Sequence, residues 1–274
     1  MITLKLPHEI AKMRKAADLV GRALAEVAKH IKPGVITQEL DAIAEDYIRT
    51  RNGRPAFKGY RGRGPIAFPG TLCLSVNDVV VHGIPSNYAL QEGDLISVDC
   101  GAELEGYFGD FAYTFAVGEI SEEKQRLLQA TAESLFVGIS KAVAGNRVGD
   151  IGFAVQEYCE SRGFGVVREL VGHGIGRHLH EEPSVPNFGR RGDGKKLKEG
   201  MTMCIEPMIN AGTELVIFTD DGWTVKTGDG KPSAHYEHTV CVRKGEAEMI
   251  SMWDYIEEVV HPPYKPKQEI MLQH

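Results

Sequence analysis

Four carboxylates in this sequence stand among apolar or β-forming residues, where a lone negative charge is costly. Asp99 and Glu206 each end a short β-forming run, and Asp110 and Glu237 each lie near the start of another. An ionised carboxylate loses several kcal/mol when it is buried without a partner. One such acid is ordinarily a hydrogen-bonded core residue, but four together indicate a bound cation.

Imidazole groups lie close to glycine-rich or turn-forming segments of the same chain. They belong to His82, His173, His178 and His180, and the last three lie between Gly172 and Pro183. Glycines let the backbone bend sharply and so can bring these rings inward. A single histidine near glycine is more often structural. Carboxylate oxygens together with one or two imidazoles, however, suit Mn, Fe, Co or Zn ions.

These donors could support peptide hydrolysis without a serine or cysteine nucleophile. Two adjacent metal ions bring the pKa of a bound water near neutrality and polarise a carbonyl oxygen. A nearby carboxylate can accept the proton, and an imidazole can stabilise the oxyanion. The chain has no Gly-x-Ser-x-Gly elbow and no phosphate-binding Gly-x-x-x-x-Gly-Lys-Ser/Thr loop. We therefore predict a metal-dependent hydrolase.

The chain alternates two helical segments with a β-rich segment, and it does so twice. Apolar spacing predicts helices over 7–31, from a Thr37 cap to about 52, from Ser121 onward, and over about 150–161. Strands are expected at 72–76, 94–100 and 111–117 and throughout a β-rich region from 163 to about 242. Residues 249–274 start helical and end in a tail that we expect to be loose.

The two parts of the chain also match weakly in sequence. Three segments of the first part match three of the second in the same order: 39–47 with 150–158, 81–85 with 172–176, and 92–99 with 199–206. The first match also aligns Tyr47 with Tyr158 and Arg51 with Arg162. Chance similarity between amphipathic helices explains the first match well, but it explains poorly why three matches occur in the same order. We expect two related halves facing each other across a pseudo-twofold axis, with the acids that end the third pair converging at the centre.

Length, charge and cysteine content exclude several classes of protein. The 274 residues suffice to bury a sizeable core, and the net charge of −7 argues against a wholly basic nucleic-acid-binding surface. The five cysteines are odd in number and far apart, which argues against a disulfide framework and favours a reducing compartment. No signal peptide or membrane-spanning run is evident. We expect a cytoplasmic protein.

Seven short motifs together resemble those of the type I methionine aminopeptidases, and the resemblance runs from about residue 8 to 253. They are Val81-His-Gly-Ile-Pro85, Val98-Asp-Cys-Gly101, Gly109-Asp110, Gly172-His-Gly-Ile-Gly-Arg177, His180-Glu-Glu-Pro183, Ile205-Glu-Pro-Met208 and Tyr236-Glu-His-Thr239. The resemblance implies an α+β "pita-bread" fold with a curved, mostly antiparallel sheet and helices outside. Its pseudo-twofold halves would cover about 8–118 and 119–245 of a single catalytic domain, 1–274, with a short C-terminal tail.

The resemblance also implies a reaction and its partners. The enzyme would remove the initiator methionine from nascent proteins and peptides whose second residue is small, by attack of a hydroxide bound to two metal ions. The two divalent ions would be Co, Mn, Fe or Zn, and the sequence leaves the choice open. The N-terminal methionine of nascent chains would be the partner, with a transient ribosome contact. We expect a monomer with no membrane partner and no specific DNA partner.

The same resemblance assigns roles in a metal centre. Asp99 would chelate one ion, Asp110 and Glu237 would bridge both, and His173 and Glu206 would hold the other. Glu206 would also accept the proton from the attacking water.

Further residues would contact the substrate. His82 would lie near the scissile amide nitrogen or the substrate backbone, and His180 would hydrogen-bond the scissile carbonyl or the oxyanion. The methionine side chain would lie among Tyr60, Phe68, Cys73 and Trp223, with Phe57 and Leu179 beside them. An apolar slot with aromatic rings and sulfur suits a thioether. Without the resemblance, Tyr60 and Phe68 would be read as ordinary core residues.

Three departures from the family pattern concern this substrate pocket. Leu179 stands where phenylalanine is usual, Phe57 stands where a smaller residue is common, and the loop 61–67 is longer than is typical. They leave the pocket shape and the tolerated second residue open.

Two other functions remain as alternatives. An Xaa-Pro peptidase would share the fold and the five ligands, but the segment around Trp223 and the spacing around His180 favour the methionine enzyme. A metal-free peptide-binding relative would be expected to have lost some of the ligands.

Overall fold

The computed structural model describes residues 2–62, 65–261 and 270. Within them the helices are α1 (Pro7–Ala28), α2 (Thr37–Arg49), α3 (Glu122–Ser140), α4 (Val148–Glu160) and α5 (Asp254–Glu257). The strands are β1 (Arg54–Pro55), β2 (Leu72–Val76), β3 (Val79–Val81), β4 (Leu95–Leu104), β5 (Tyr107–Ala116), β6 (Gly165–Val166), β7 (Gly172–Gly174), β8 (Glu181–Val185), β9 (Thr202–Ile205), β10 (Met208–Asn210), β11 (Val216–Phe218), β12 (Val225–Thr227), β13 (Ser233–His235), β14 (His238–Cys241) and β15 (Glu248–Met249). The pairings between these strands are antiparallel, as expected for the predicted α+β class.

The helices form where apolar spacing predicts them, with small differences at their ends. α1 stops before the predicted residue 31, because the amides of His30 and Ile31 bond to carbonyls only three residues back, in tight turns. The predicted Thr37 cap is wrong: Ile36 occupies the cap position, and the Thr37 hydroxyl donates instead to the carbonyl of Ser86. The last stretch does not start helical at residue 249 as predicted, because Glu248 and Met249 form β15, and the helix α5 begins only at Asp254. Residues 262–269 and 271–274 of the predicted tail lie outside the described residues.

The first half is built on a long β4–β5 hairpin. Register runs from Leu95 opposite Ala116 to Leu104 opposite Tyr107, and β2 and β1 pair with β4. The turn residues Glu105 and Gly106 have φ values of +53° and +79°. Both are in the left-handed conformation, which a two-residue turn needs in order to match the right-handed twist of the two strands. β4 and β5 are each longer than predicted, because the hairpin continues past the apolar runs to this turn.

The second half forms a five-stranded sheet in the order β15-β14-β9-β7-β8. Two smaller sheets adjoin it, in the orders β13-β10-β6 and β11-β12-β3. Since β3 precedes α3 and β12 follows α4, the second of these sheets joins the two parts of the chain.

The predicted sequence repeat has a counterpart in side-chain contacts. The Arg51 guanidinium lies 3.6 Å from the ring centroid of Tyr47, and the Arg162 guanidinium lies 3.6 Å from that of Tyr158. Each arginine also donates to the carbonyl of its tyrosine, at 3.3 and 2.9 Å. These pairs end α2 and α4 in the same way, so the local match in sequence is also a match in structure.

Strand β5 of the first half lies against the β13–β14 segment of the second half. The Glu237 amide donates to the Ala112 carbonyl at 3.0 Å, and the Thr239 hydroxyl donates to the Asp110 carbonyl at 2.7 Å. The Tyr236 hydroxyl donates to the carbonyl of Thr114 at 2.9 Å. This seam sets the backbones of Asp110 and Glu237 side by side.

The close approach of β5 to α1 depends on Gly109, the residue before Asp110. A Cβ at Gly109 would lie 2.4 Å from the backbone nitrogen of Ala17. We expect Gly109→Ala to lower Tm by roughly 2–12 °C in thermal unfolding, because overpacking costs about 1–3 kcal/mol and each kcal/mol shifts Tm by roughly 2–4 °C at this size. Gly62→Ala is the control, since its backbone has no left-handed φ and a Cβ there would come no closer than 3.4 Å to the Trp223 ring. Equal shifts in the two variants would contradict this explanation.

Candidate metal centre

A cavity of about 570 Å³ lies between the two halves and collects every site residue predicted from the sequence. Those residues are Phe57, Tyr60, Phe68, Cys73, His82, Asp99, Asp110, His173, Leu179, His180, Glu206, Trp223 and Glu237. His178, one of the four histidines singled out from the sequence, lies outside this cavity, and its backbone amide donates to Glu181.

Strand register explains how the acids converge. Asp99 lies opposite Ala112, and Asp110 lies opposite Gly101, so both aspartates project from the same face of the β4–β5 hairpin. His238 lies opposite Ile205, and continuing that register by one residue sets Glu237 opposite Glu206. One aspartate pair and one glutamate pair therefore face the cavity from the two halves.

These carboxylates lack hydrogen-bond partners for some of their oxygens. Asp99 Oδ1, Asp110 Oδ1, Glu206 Oε1 and Glu237 Oε1 are buried without one. Burial raises the pKa of Asp99 to about 7. Burial, and then repulsion from the neighbouring acids, also raises the pKa values of Asp110, Glu206 and Glu237 well above the usual range. A bound cation would supply the missing partner for all four.

His173 offers a nitrogen to the same cluster. Its Nε2 lies 3.6 Å from Glu206 Oε1 and 3.9 Å from Asp110 Oδ2. Its Nδ1 lies 2.9 Å from the Gly174 carbonyl, which can only accept a hydrogen bond, so the ring proton belongs on Nδ1 and the Nε2 lone pair faces the acids. Burial lowers the pKa of His173 to about 3 and keeps the ring neutral. Ligands about 2.0–2.2 Å from one ion lie roughly 3–4 Å apart, so this donor set fits a metal.

Two residues that the sequence analysis did not select also belong to the cluster. Cys204, on β9, groups with Asp110, His173 and Glu237. Burial and the nearby acids raise the pKa of its thiol well above the usual range, so the thiol keeps its proton and is a poor ligand.

The second of these residues is His235. It groups with Glu206 and Glu237, and burial lowers the pKa of its ring to about 3. Alternation along an extended segment could have identified it, since residues two apart share a face and His235 lies two before Glu237.

His82 and His180 lie beside the cluster as neutral rings. Burial lowers the pKa of His82 to about 4 and also lowers the pKa of His180. The Tyr60 hydroxyl lies 2.8 Å from His180 Nδ1, and the rings of His173 and His180 lie 4.3 Å apart between centroids. His82 has a φ of +58°, an uncommon conformation for a non-glycine residue and one that is concentrated at functional sites.

An apolar wall adjoins the acids. Phe57, Phe68, Cys73 and Leu179 form one buried cluster, with Tyr60 and Trp223 packed against it. Cys73 lies directly opposite Asp99 in the β2–β4 register, which fixes this wall next to the carboxylates. The Trp223 ring nitrogen donates to the Ile66 carbonyl at 3.1 Å, so Ile66 of the loop 61–67 holds the indole. Residues 63 and 64 of this loop lie outside the described residues.

Comparison with known proteins gives matches over nearly the whole chain. A family model described as metallopeptidase family M24 matches residues 11–244. The chain is 52% identical to a methionine aminopeptidase of Clostridium acetobutylicum over 92% of this chain and 99% of that protein. It is 48% identical to methionine aminopeptidase 1 of Bacillus subtilis over 88% of this chain and 96% of that protein.

Solved structures agree with this relationship. The methionine aminopeptidase of Rickettsia prowazekii matches with a TM-score of 0.89 and 40% identity, covering 92% of this chain and all of that one. A prolidase of Pyrococcus horikoshii matches with a TM-score of 0.74 at 21% identity, which shows a shared fold alone. The predicted pita-bread fold is confirmed. In the described part of the chain, no helix has the length and apolar character needed to cross a bilayer.

Proposed function

This chain belongs to metallopeptidase family M24 and to the methionine aminopeptidases within it, and we propose that it removes the N-terminal methionine from nascent chains whose second residue is small. One observation carries the proposal: four buried acids with unpartnered oxygens, a neutral imidazole and an apolar slot line one cavity. The acids and the imidazole suit metal ions, and the slot suits a thioether.

We assign Asp99, Asp110, His173, Glu206 and Glu237 to two divalent ions. When bound, such ions lower the pKa of water and polarise a carbonyl oxygen. Glu206 would take up the proton, because its carboxylate lines the cavity beside the neutral His173 ring, whose Nε2 atom lies 3.6 Å from Glu206 Oε1. Asp110 and Glu237 come from opposite sides of the seam between β5 and the β13–β14 segment, which suits them to bridging roles.

The two neutral histidines would act on the substrate. The Tyr60 phenol keeps its proton because partial burial raises its pKa. We assign that phenol as the donor to His180 Nδ1, which leaves the His180 proton on Nε2 for the scissile carbonyl or oxyanion. His82 would contact the amide nitrogen or the substrate backbone, and its ring lies edge-on to Trp223 at 6.1 Å between centroids.

Replacing Tyr60 with phenylalanine is expected to lower kcat about five- to tenfold, because the hydrogen bond that orients His180 is worth roughly 1 kcal/mol. Steady-state release of methionine from Met-Ala-Ser measures the effect. Tyr88→Phe is the matched control, since Tyr88 bonds to Asp94 outside the cavity. A kcat within twofold of wild type for Tyr60→Phe would contradict the assignment.

The apolar wall is assigned to the methionine side chain. Phe57, Phe68 and Cys73 are nearly fully buried beside Asp99, so a side chain in the slot would set its amide next to the acids. Tyr60, Trp223 and Leu179 would complete the slot.

The proposal is tested by preparing the protein free of metal and assaying it across Mn, Fe, Co and Zn. We expect Met-Ala-Ser to release methionine only when metal is present, and Ala-Pro peptides to remain intact. Faster cleavage of Ala-Pro would indicate an Xaa-Pro peptidase, whose fold is shared. Peptide binding without cleavage under any metal would indicate a binding protein.

The proposal also covers the location of the enzyme in the cell, its oligomeric state and its contact with the ribosome. We place the enzyme in the cytoplasm, as a single catalytic domain that works as a monomer, in transient contact with the ribosome. The five cysteines are buried and unpaired, which supports a reducing compartment.

A further inference from the structure

His235 is a buried imidazole at the metal cavity whose ring the proposed mechanism does not use. It ends β13, lies two residues before Glu237 and is 2% exposed. Its Nε2 atom is buried and has no hydrogen-bond partner. Buried polar atoms in folded proteins are nearly always paired, so an orphaned nitrogen that lines a cavity indicates a missing ligand.

The Glu206 carboxylate, which faces this nitrogen, is too far away for a hydrogen bond. His235 Nε2 lies 3.9 Å from Glu206 Oε2, beyond the range of about 2.7–3.2 Å for such bonds. The separation instead matches that of two ligands on one ion, and it equals the 3.9 Å between His173 Nε2 and Asp110 Oδ2.

The Glu206 carboxylate lies between two imidazoles. Oε1 faces His173 Nε2 at 3.6 Å, and Oε2 faces His235 Nε2 at 3.9 Å. Glu237 completes the second group, since ligand atoms of Glu206, His235 and Glu237 lie within 4.8 Å of one another. The cluster therefore has a nitrogen donor on each side of Glu206.

We propose that His235 is a sixth ligand of the metal centre, which would bind through Nε2 an ion that Glu206 and Glu237 also hold. The inference rests on the proposed metallopeptidase function. It predicts a centre with two imidazole ligands, where the sequence motifs indicate one.

The test compares the full-length wild type with His235→Gln in the Co(II)-loaded form. Glutamine is also polar and uncharged, but its amide is a poor ligand for Co(II). Proton NMR detects hyperfine-shifted, solvent-exchangeable imidazole N–H signals from each coordinated histidine. Isothermal titration of the metal-free proteins with Co(II) gives their affinities. His178→Gln, outside the cavity, is the matched control.

We expect two such N–H signals in the wild type and in His178→Gln. In His235→Gln we expect one signal and at least a tenfold weaker Kd for one of the ions, with an unchanged circular dichroism spectrum. If His235→Gln keeps both signals and the wild-type affinities, His235 is no ligand, although the proposed function stands. A wild type that binds no metal would overturn both proposals.

Discussion

Replacing Glu206 with glutamine is expected to lower kcat for Met-Ala-Ser by about 10³-fold, within the range that loss of a general base produces. Glutamine has nearly the same shape but cannot accept the proton, and it is a weaker ligand than a carboxylate. Glu206 is not part of the apolar wall that would hold the methionine side chain, so KM is expected to change far less than kcat. Steady-state kinetics at saturating metal, with bound metal measured on the same sample, give both quantities.

Glu199→Gln is the control for this substitution, because Glu199 is an exposed acid seven residues earlier in the same segment. It should keep wild-type kinetics. A Glu206→Gln enzyme with bound metal and more than a tenth of the wild-type kcat would show that another group accepts the proton.

Replacing Asp99 with asparagine is expected to stabilise the metal-free protein at pH 8 and to destabilise the metal-loaded protein. The folded-state pKa of Asp99 is raised by burial from 3.8 to about 7. Below pH 4 the Asp99 carboxyl is protonated in both the folded and the unfolded states, so its ionisation does not lower the free energy of unfolding. Between pH 4 and 7 the unfolded chain loses the proton that the folded chain retains, so the free energy of unfolding falls as the pH rises.

Thermal unfolding of wild type and Asp99→Asn in chelator, from pH 5 to pH 8, measures this effect. The variant should exceed the wild type in Tm by roughly 5–10 °C at pH 8, and the gap should narrow towards pH 5. Saturating Mn²⁺ should reverse the order, because the variant lacks one carboxylate ligand. A gap that does not change with pH would mean that Asp99 is not a buried, metal-requiring acid.

The acids of the site could be predicted from the sequence because each is placed by strand alternation. Once β4 pairs with β5 as a hairpin, Asp99 and Asp110 must share a face. The match between 92–99 and 199–206 then places Glu206 as the counterpart of Asp99 in the other half. The halves themselves were visible because the Tyr47–Arg51 and Tyr158–Arg162 contacts are local.

Other features depend on contacts that no local pattern encodes. His178 is held away from the cavity by the turn in which its amide bonds to Glu181, and nothing in the spacing of three nearby histidines reveals which one turns outward. Thr37 fails as a helix cap because the distant Ser86 carbonyl accepts its hydroxyl proton. His235 is not among the predicted site residues, although strand alternation places its side chain on the same face as that of Glu237.

The seam between the halves also has a consequence for how the molecule opens. Hydrogen bonds from Glu237 and Thr239 reach the backbone at Ala112 and Asp110, so the liganding side chains of the two halves are anchored on one continuous strand-to-strand contact. Metal ions held by Asp110 of the first half and by Glu206 of the second half would cross-link the two halves at that contact. Amide hydrogen exchange in β5 and in β14 would then slow together when metal binds, because neither half could open without breaking bonds to the ions that the other half shares.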